Sequence, residues 1–426
     1  MSKFVLKGNV CYCKSTSEIS INENKYIVCE DGISKGVFDE IPSMYKDYKV
    51  YDYTDKLIIP GLVDLHIHAP QYAFRGLGMD MELLDWLDTQ AFPEEIKYQD
   101  IDYAKKAYSI FVRDMKESAT THASIFATIH RPASILLMDL LEESGLKTYV
   151  GKINMDRLAP EELTEKDALS SAFDTFGFIN STINKYKNTK PILTPRFLPS
   201  CSDELLGELK EIKNTYAKLP LQSHLSENPN EVELVKQLFP NSKFYGDGYN
   251  HYSLFGGNNA KTIMAHCIYS TEEEVELMKK NGVFVAHCPQ SNINLSSGIC
   301  PVRKYLDKGL NVGLGSDVAG GHSMSMFRAI TDAIGVSKLY WRLVDNTCAP
   351  LSLDEAFYLA TIGGGKFFGK VGSFDQDYEF SCVVIDDTKE ENAFNLNVRQ
   401  RLERAIYSNL DLTNICAKFV GVNKLL

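Results

Sequence analysis

Two histidines spaced two apart close the apolar run Leu57–His68, which reads Leu-Ile-Ile-Pro-Gly-Leu-Val-Asp-Leu-His-Ile-His. In a β-strand, residues two apart point to the same face, so His66 and His68 present both imidazoles to one centre. Neutral imidazole is a favoured nitrogen ligand for zinc and for iron. Burying two such bases with nothing to bind costs on the order of several kcal/mol in lost hydration. His-x-His alone is equally well a core-satisfied or exposed pair, so a metal reading requires further ligands from elsewhere in the chain.

Other apolar runs end in the same way. Gln222-Ser223-His224 is followed by Leu225-Ser226-Glu227; Met264-Ala265-His266-Cys267 and Gly313-Leu314-Gly315-Ser316-Asp317 close two more. A lone histidine after an apolar run is more often a core or surface residue. Four of the nine histidines and Asp317 all fall at strand ends, which such isolated placements do not explain. Three imidazoles and a carboxylate around a divalent ion, with one position left for water, make a catalytic site, and such an ion lowers the pKa of water towards ~7. Glu227 lies three residues past His224, between strand end and helix start, where it can shuttle protons between that water and a substrate nitrogen. The competing reading is a first-turn glutamate serving the helix dipole.

The elements that must position these residues alternate. Strand candidates follow at 57–68, 120–130, 148–155, 191–198, 219–225, 261–267, 283–287 and 311–317, short and continuously apolar, as a parallel sheet covered on both faces requires. Helix starts are marked by Asn228-Pro229-Asn230-Glu231, Thr271-Glu272-Glu273-Glu274 and Ser352-Leu353-Asp354-Glu355. Eight strand–helix units predict an α/β fold, a (β/α)8 TIM-type barrel, over 61–369, with chemistry at the C-terminal ends of the strands. Short strands at Phe4–Leu6, Tyr26–Val28 and Gly36–Phe38, and again at Glu379–Ile385 and Lys418–Val422, predict a small β domain built from residues 1–60 and 370–426.

Composition narrows the function classes. The chain has 426 residues, 44% hydrophobic, with a formal net charge of −11 and no basic cluster, which argues against nucleic acid or an anionic membrane as partner. No signal-peptide core or membrane-length run is present, and ten scattered cysteines without a Cys-x-x-Cys pair fit reduced thiols in a cytoplasmic setting.

With these residues in place the chain resembles the amidohydrolase superfamily and, within it, the guanine deaminase family. Pro60–His68 is similar to the superfamily's first-strand motif. The continuation Ala69-Pro70-Gln71-Tyr72-Ala73-Phe74, then Leu83–Leu87, Phe92-Pro93-Glu94-Glu95, Thr194–Phe197, Ser223–Asn228 and Ser316–Gly321 resemble that family more specifically. The resemblance implies one zinc per subunit, iron being possible, on His66, His68, His224 and Asp317. It implies His266, Glu227 and Asp317 as catalytic groups, and Gln71, Arg196 and Phe197 as purine-holding residues, with His224, Glu227 and Asp317 also touching substrate. It further implies a homodimer. Related enzymes with two metals carry a modified lysine on the fourth strand; residues 192–198 have Arg196 and no lysine, so one metal is expected, and Lys152 would serve only if it fell on that strand. His130 and His287 are expected to be supporting or structural, and His322 stands where an aromatic residue is expected. The alternatives are another aminohydrolase of the superfamily, acting on a modified purine, a pterin or a triazine, and a barrel that has lost its chemistry.

Overall fold

The run Leu57–His68 is two strands, not one. Lys49–Pro60 ends and Leu62–His68 begins on either side of Gly61. The Gly61 amide donates to the Ser381 carbonyl at 3.1 Å, whereas the Leu62 amide donates to Ala119 at 3.0 Å. One residue therefore hands the chain from one sheet to another. A Cβ at Gly61 would lie 2.2 Å from Thr121 Oγ1, so no side chain fits at this crossing.

This computed structural model describes residues 3–257, 260–389, 392–408 and 414–426. One sheet has seven strands, in the spatial order Asn423–Lys424, Ile415–Val420, Ser381–Ile385, Lys49–Pro60, Lys3–Ser15, Glu18–Glu30 and Ile33–Phe38. Lys3–Ser15 runs parallel to Lys49–Pro60, and the other pairings are antiparallel. Phe4, Leu6, Tyr12, Phe374, Phe380 and Phe419 form its core. The buried Lys418 Nζ lies within hydrogen-bond distance of the carbonyls of Met115 (3.2 Å), Lys116 (3.1 Å) and Ser118 (3.0 Å), and of Thr120, and shares its N–H groups among them, pinning this sheet beneath the second barrel strand.

The barrel consists of two parallel four-stranded runs. The first is Leu62–His68, Thr120–Phe126, Lys147–Gly151 and Thr189–Pro191; the second is Leu221–Leu225, Thr262–His266, Phe284–His287 and Asn311–Leu314. A Leu193–Leu221 bridge joins them on one side. On the other, the Asp317 amide donates to the His66 carbonyl at 2.8 Å and the His68 amide to the Val318 carbonyl at 3.0 Å. The first, second, fifth and sixth strands are buried at every position, because helices cover one face and the barrel interior the other.

Three helix starts expected from sequence are capped as the residues dictate. Asn228 and Ser352 form full capping boxes with Glu231 and Glu355, and Thr271 accepts from the Glu274 amide. Two further expectations are corrected. The stretch 191–198 is not one strand but the short pieces Thr189–Pro191 and Thr194–Pro195 with the single Leu193 bridge between them, since Pro191 and Pro195 lack the donors a continuous ladder needs. The C-terminal segment, expected to hold strands, also contains the helix Val398–Ser408, whose Val398, Leu402, Ala405 and Ile406 form one buried face. No helix among the described residues is long and apolar enough to cross a membrane.

Candidate active site

The first and eighth barrel strands lie side by side, so the residues at their ends converge. His66 and His68 close the first strand, with Nε2 atoms 3.3 Å apart. The Nε2 of His224, at the end of the fifth strand, stands 3.2 Å from that of His68. Asp317 Oδ1 reaches His66 Nε2 at 3.1 Å and His68 Nε2 at 3.6 Å. His266, ending the sixth strand, sets its Nε2 3.6 Å from Asp317 Oδ2 and 3.4 Å from Glu227 Oε2. The backbone turns sharply to do this: His266 and Asp317 have φ of +70° and +47°. Left-handed backbone costs a non-glycine residue roughly 1–2 kcal/mol and is concentrated where function requires it.

The donor set fits a divalent cation. The His224 Nδ1–H donates to the Arg196 carbonyl at 2.6 Å, leaving the Nε2 lone pair to face the cluster. Burial pulls the pKa of His66 below its ordinary value and those of His68 and His224 well below theirs, which favours the neutral ring that a metal ligand must be. Burial alone would raise Asp317, but the imidazoles of His66, His266 and His68 outweigh it and hold this carboxyl far below the usual range. Neutral nitrogens packed at hydrogen-bond distance with too few protons to share, beside an ionised carboxylate, repel one another unless a cation lies between them. Burial also lowers His266, yet Glu227, Asp317 and the Asn292 acceptor outweigh it, and the net shift is upward.

Glu227 is buried and held on both its side chain and its backbone. Burial pushes its carboxyl up to about 7, with His266 pulling the other way. Ser297 Oγ donates to Oε1 at 3.0 Å, leaving Oε2 towards His266. The next turn fixes its backbone: Glu231 Oε2 accepts from the amides of Glu227 at 3.0 Å and Asn228 at 3.2 Å. Glu227 thus precedes the N-cap Asn228 and lies outside the helix.

These groups open onto a cleft also lined by Gln71, Leu83, Trp86, Leu87, Arg196, Phe197, Leu295 and Gly320. Gln71 sits on the short helix directly after the first strand, and Arg196 and Phe197 follow Thr194–Pro195. A buried apolar cleft with a few convergent polar groups suits a small heterocycle. Lys152 is not part of it: its ammonium is taken by Glu165 at 2.5 Å. His287 is buried at the seventh strand's end, and His130 is partly buried at the mouth of a separate cleft.

Several supporting groups could not be matched to a partner or a role from the sequence. Asp64 accepts from the Ser316 amide (3.0 Å), Ser316 Oγ (2.5 Å) and the His66 amide (3.1 Å), tying the ends of the first and eighth strands together. Asn292 Oδ1 accepts from His266 Nδ1 at 2.9 Å. Glu95 pairs with Arg196. Only the folded chain brings each of them to its partner.

The sequence profile of the Amidohydrolase family matches residues 57–411. The chain belongs to the amidohydrolase family. A guanine deaminase of Dictyostelium discoideum is 35% identical to this amidohydrolase over 99% of its length and 98% of the relative's. The human guanine deaminase is 41% identical over 80% of this chain and 75% of its own. A crystal structure of guanine deaminase from C. acetobutylicum, with guanine bound in its active site, superposes with a TM-score of 0.95 at 45% identity, covering all of both chains. The barrel with an added β domain, expected from the alternation of strands and helices, is the architecture of this amidohydrolase.

Proposed function

We propose that the chain is a guanine deaminase, converting guanine and water to xanthine and ammonia. The carrying observation is that Glu227, a buried carboxyl pushed up to about 7, stands 3.4 Å from His266 in the cleft that Gln71 and Arg196 line. Relatives at 35% and 41% identity that are guanine deaminases support this choice of substrate.

His66, His68, His224 and Asp317 would hold the metal, which we take to be one zinc per subunit, although the same donors suit iron. When bound, the ion supplies Lewis acidity and makes water a better nucleophile near neutral pH. His266 and Asp317 orient that water, and Asp317 or Glu227 accepts its proton. The water oxygen adds to the carbon bearing the exocyclic amine. Glu227 delivers that proton to the adjacent ring nitrogen; the remaining hydroxyl proton then passes by way of Asp317 or Glu227 to the amine, and the carbon–nitrogen bond breaks as the carbonyl forms, releasing ammonia. Arg196 and Gln71 pair with the carbonyl and ring nitrogens of the base, and Phe197 offers an aromatic face. His224, Glu227 and Asp317 complete the contacts.

The same reading takes the protein as a cytosolic homodimer with its domains divided as 1–60 with 370–426, and 61–369. All ten cysteines are unpaired and nine are buried, which suits a reducing compartment. Ammonia release from guanine, compared with adenine, cytosine, a pterin and a triazine, tests the function. Guanine should be turned over at least about 100-fold faster than the others, and equal or greater turnover of another ring would overturn the assignment.

A further inference from the structure

Glu95 has no role among the groups that hold metal, move protons or touch substrate, and it does not line the cleft. It is nevertheless 1% exposed and saturated with partners from residues that do line it. Its Oε2 accepts from Arg196 Nη1 at 2.5 Å, and its Oε1 accepts from Arg196 Nη2 at 3.0 Å and from Gln71 Nε2 at 2.8 Å. Gln71 Oε1 in turn accepts from the Ala319 amide at 3.2 Å.

Two consequences follow. A carboxylate can only accept, so the Gln71 amide has one permitted orientation, with its NH2 towards Glu95 and its oxygen towards Ala319. What Gln71 offers the cleft is therefore fixed as one remaining N–H and one remaining oxygen lone pair. The forked ion pair also neutralises Arg196 while leaving its other N–H groups to donate. Without Glu95, this end of the cleft would carry a buried and uncompensated positive charge, which recruits anions.

We propose that Glu95 is a positioning residue that sets charge selectivity: it makes the Arg196–Gln71 end a neutral hydrogen-bonding surface, favouring uncharged lactam heterocycles over anionic ones. The proposal rests on the guanine deaminase reading and deepens it. Xanthine loses a ring proton much more readily than guanine, so in mildly alkaline solution the substrate is neutral and the product largely anionic. A neutralised guanidinium thus favours entry of guanine and departure of xanthine.

The test uses zinc-loaded wild type, Glu95→Gln and Glu95→Asp at about pH 8.5, with KM for guanine from ammonia release and Kd for xanthine from calorimetry. Glu95→Gln should raise the guanine KM about tenfold while tightening xanthine about tenfold, because the anion now meets an unpaired guanidinium. Glu95→Asp keeps the charge but shortens the reach, so the guanine KM should rise while xanthine binding stays within about threefold of wild type. A purely structural role weakens both ligands together. Proportional weakening of guanine and xanthine in either variant overturns the proposal, and Glu95→Asp decides it alone if Glu95→Gln does not fold. The two readings fail separately: absence of ammonia release by wild type refutes the deaminase assignment, whereas charge selectivity is scored on xanthine binding.

Discussion

Replacing Glu227 by glutamine separates proton transfer from every other property of the site. Glutamine has the same shape, and its oxygen can still accept from Ser297 Oγ, now 3.0 Å from Oε1. Its amide nitrogen then takes the position of Oε2, 3.4 Å from His266 Nε2, and cannot carry a proton to substrate. Loss of a positioned acid–base group costs about 10²–10⁴ in rate. A fall of about 10³ in kcat, or about 4 kcal/mol of barrier, is expected, with KM changed only a few-fold and metal content unchanged. Stability should move the other way. The carboxyl is raised from 4.5 to about 7 by burial, so its stabilising contribution is complete below the unfolded value and is lost as pH rises through about 7. In metal-free protein above that pH, glutamine should therefore be more stable than glutamate, by up to about 3 kcal/mol. Ammonia release, metal analysis by mass spectrometry and urea denaturation of the chelated protein read the three quantities. A variant with kcat within tenfold of wild type and full metal occupancy would refute the role given to Glu227.

Removing metal with a chelator should abolish ammonia release, and adding zinc should restore it; activity that persists in metal-free protein rules out the ligand set. Ser297→Ala frees one Glu227 oxygen, so kcat should fall about tenfold at nearly constant KM, whereas an unchanged kcat would leave Ser297 without a positioning role. Lys213 Nζ is buried without a hydrogen-bond partner among the described residues, and burial lowers its pKa from 10.5 to about 8. The folded state thus disfavours the charged amine, a penalty complete below about pH 8 and relieved as pH rises towards the unfolded value. Lys213→Met should stabilise the protein by about 2 kcal/mol at about pH 7 and by less at about pH 10; an equal gain at both would show that charge burial is not the cause.

Much of this protein is determined by local pattern. His66, His68, His224, His266 and Asp317 were legible because each ends an apolar run, and a parallel barrel collects its strand ends on one rim. Capping residues such as Asn228 and Ser352 were legible because a helix start needs only its own first turn. The break at Gly61 was not, since it depends on Thr121 and Ser381, which occupy the space and accept the amide. Nor was the pairing of Glu95 with Arg196, 101 residues away. Periodicity records which face of an element is buried, but not which partner will meet a polar group there. Tertiary packing alone decided that Asp64 would tie Ser316, that Glu165 would take Lys152, and that Glu95 would stand behind Arg196. A buried charge must find its partner wherever the folded chain brings one.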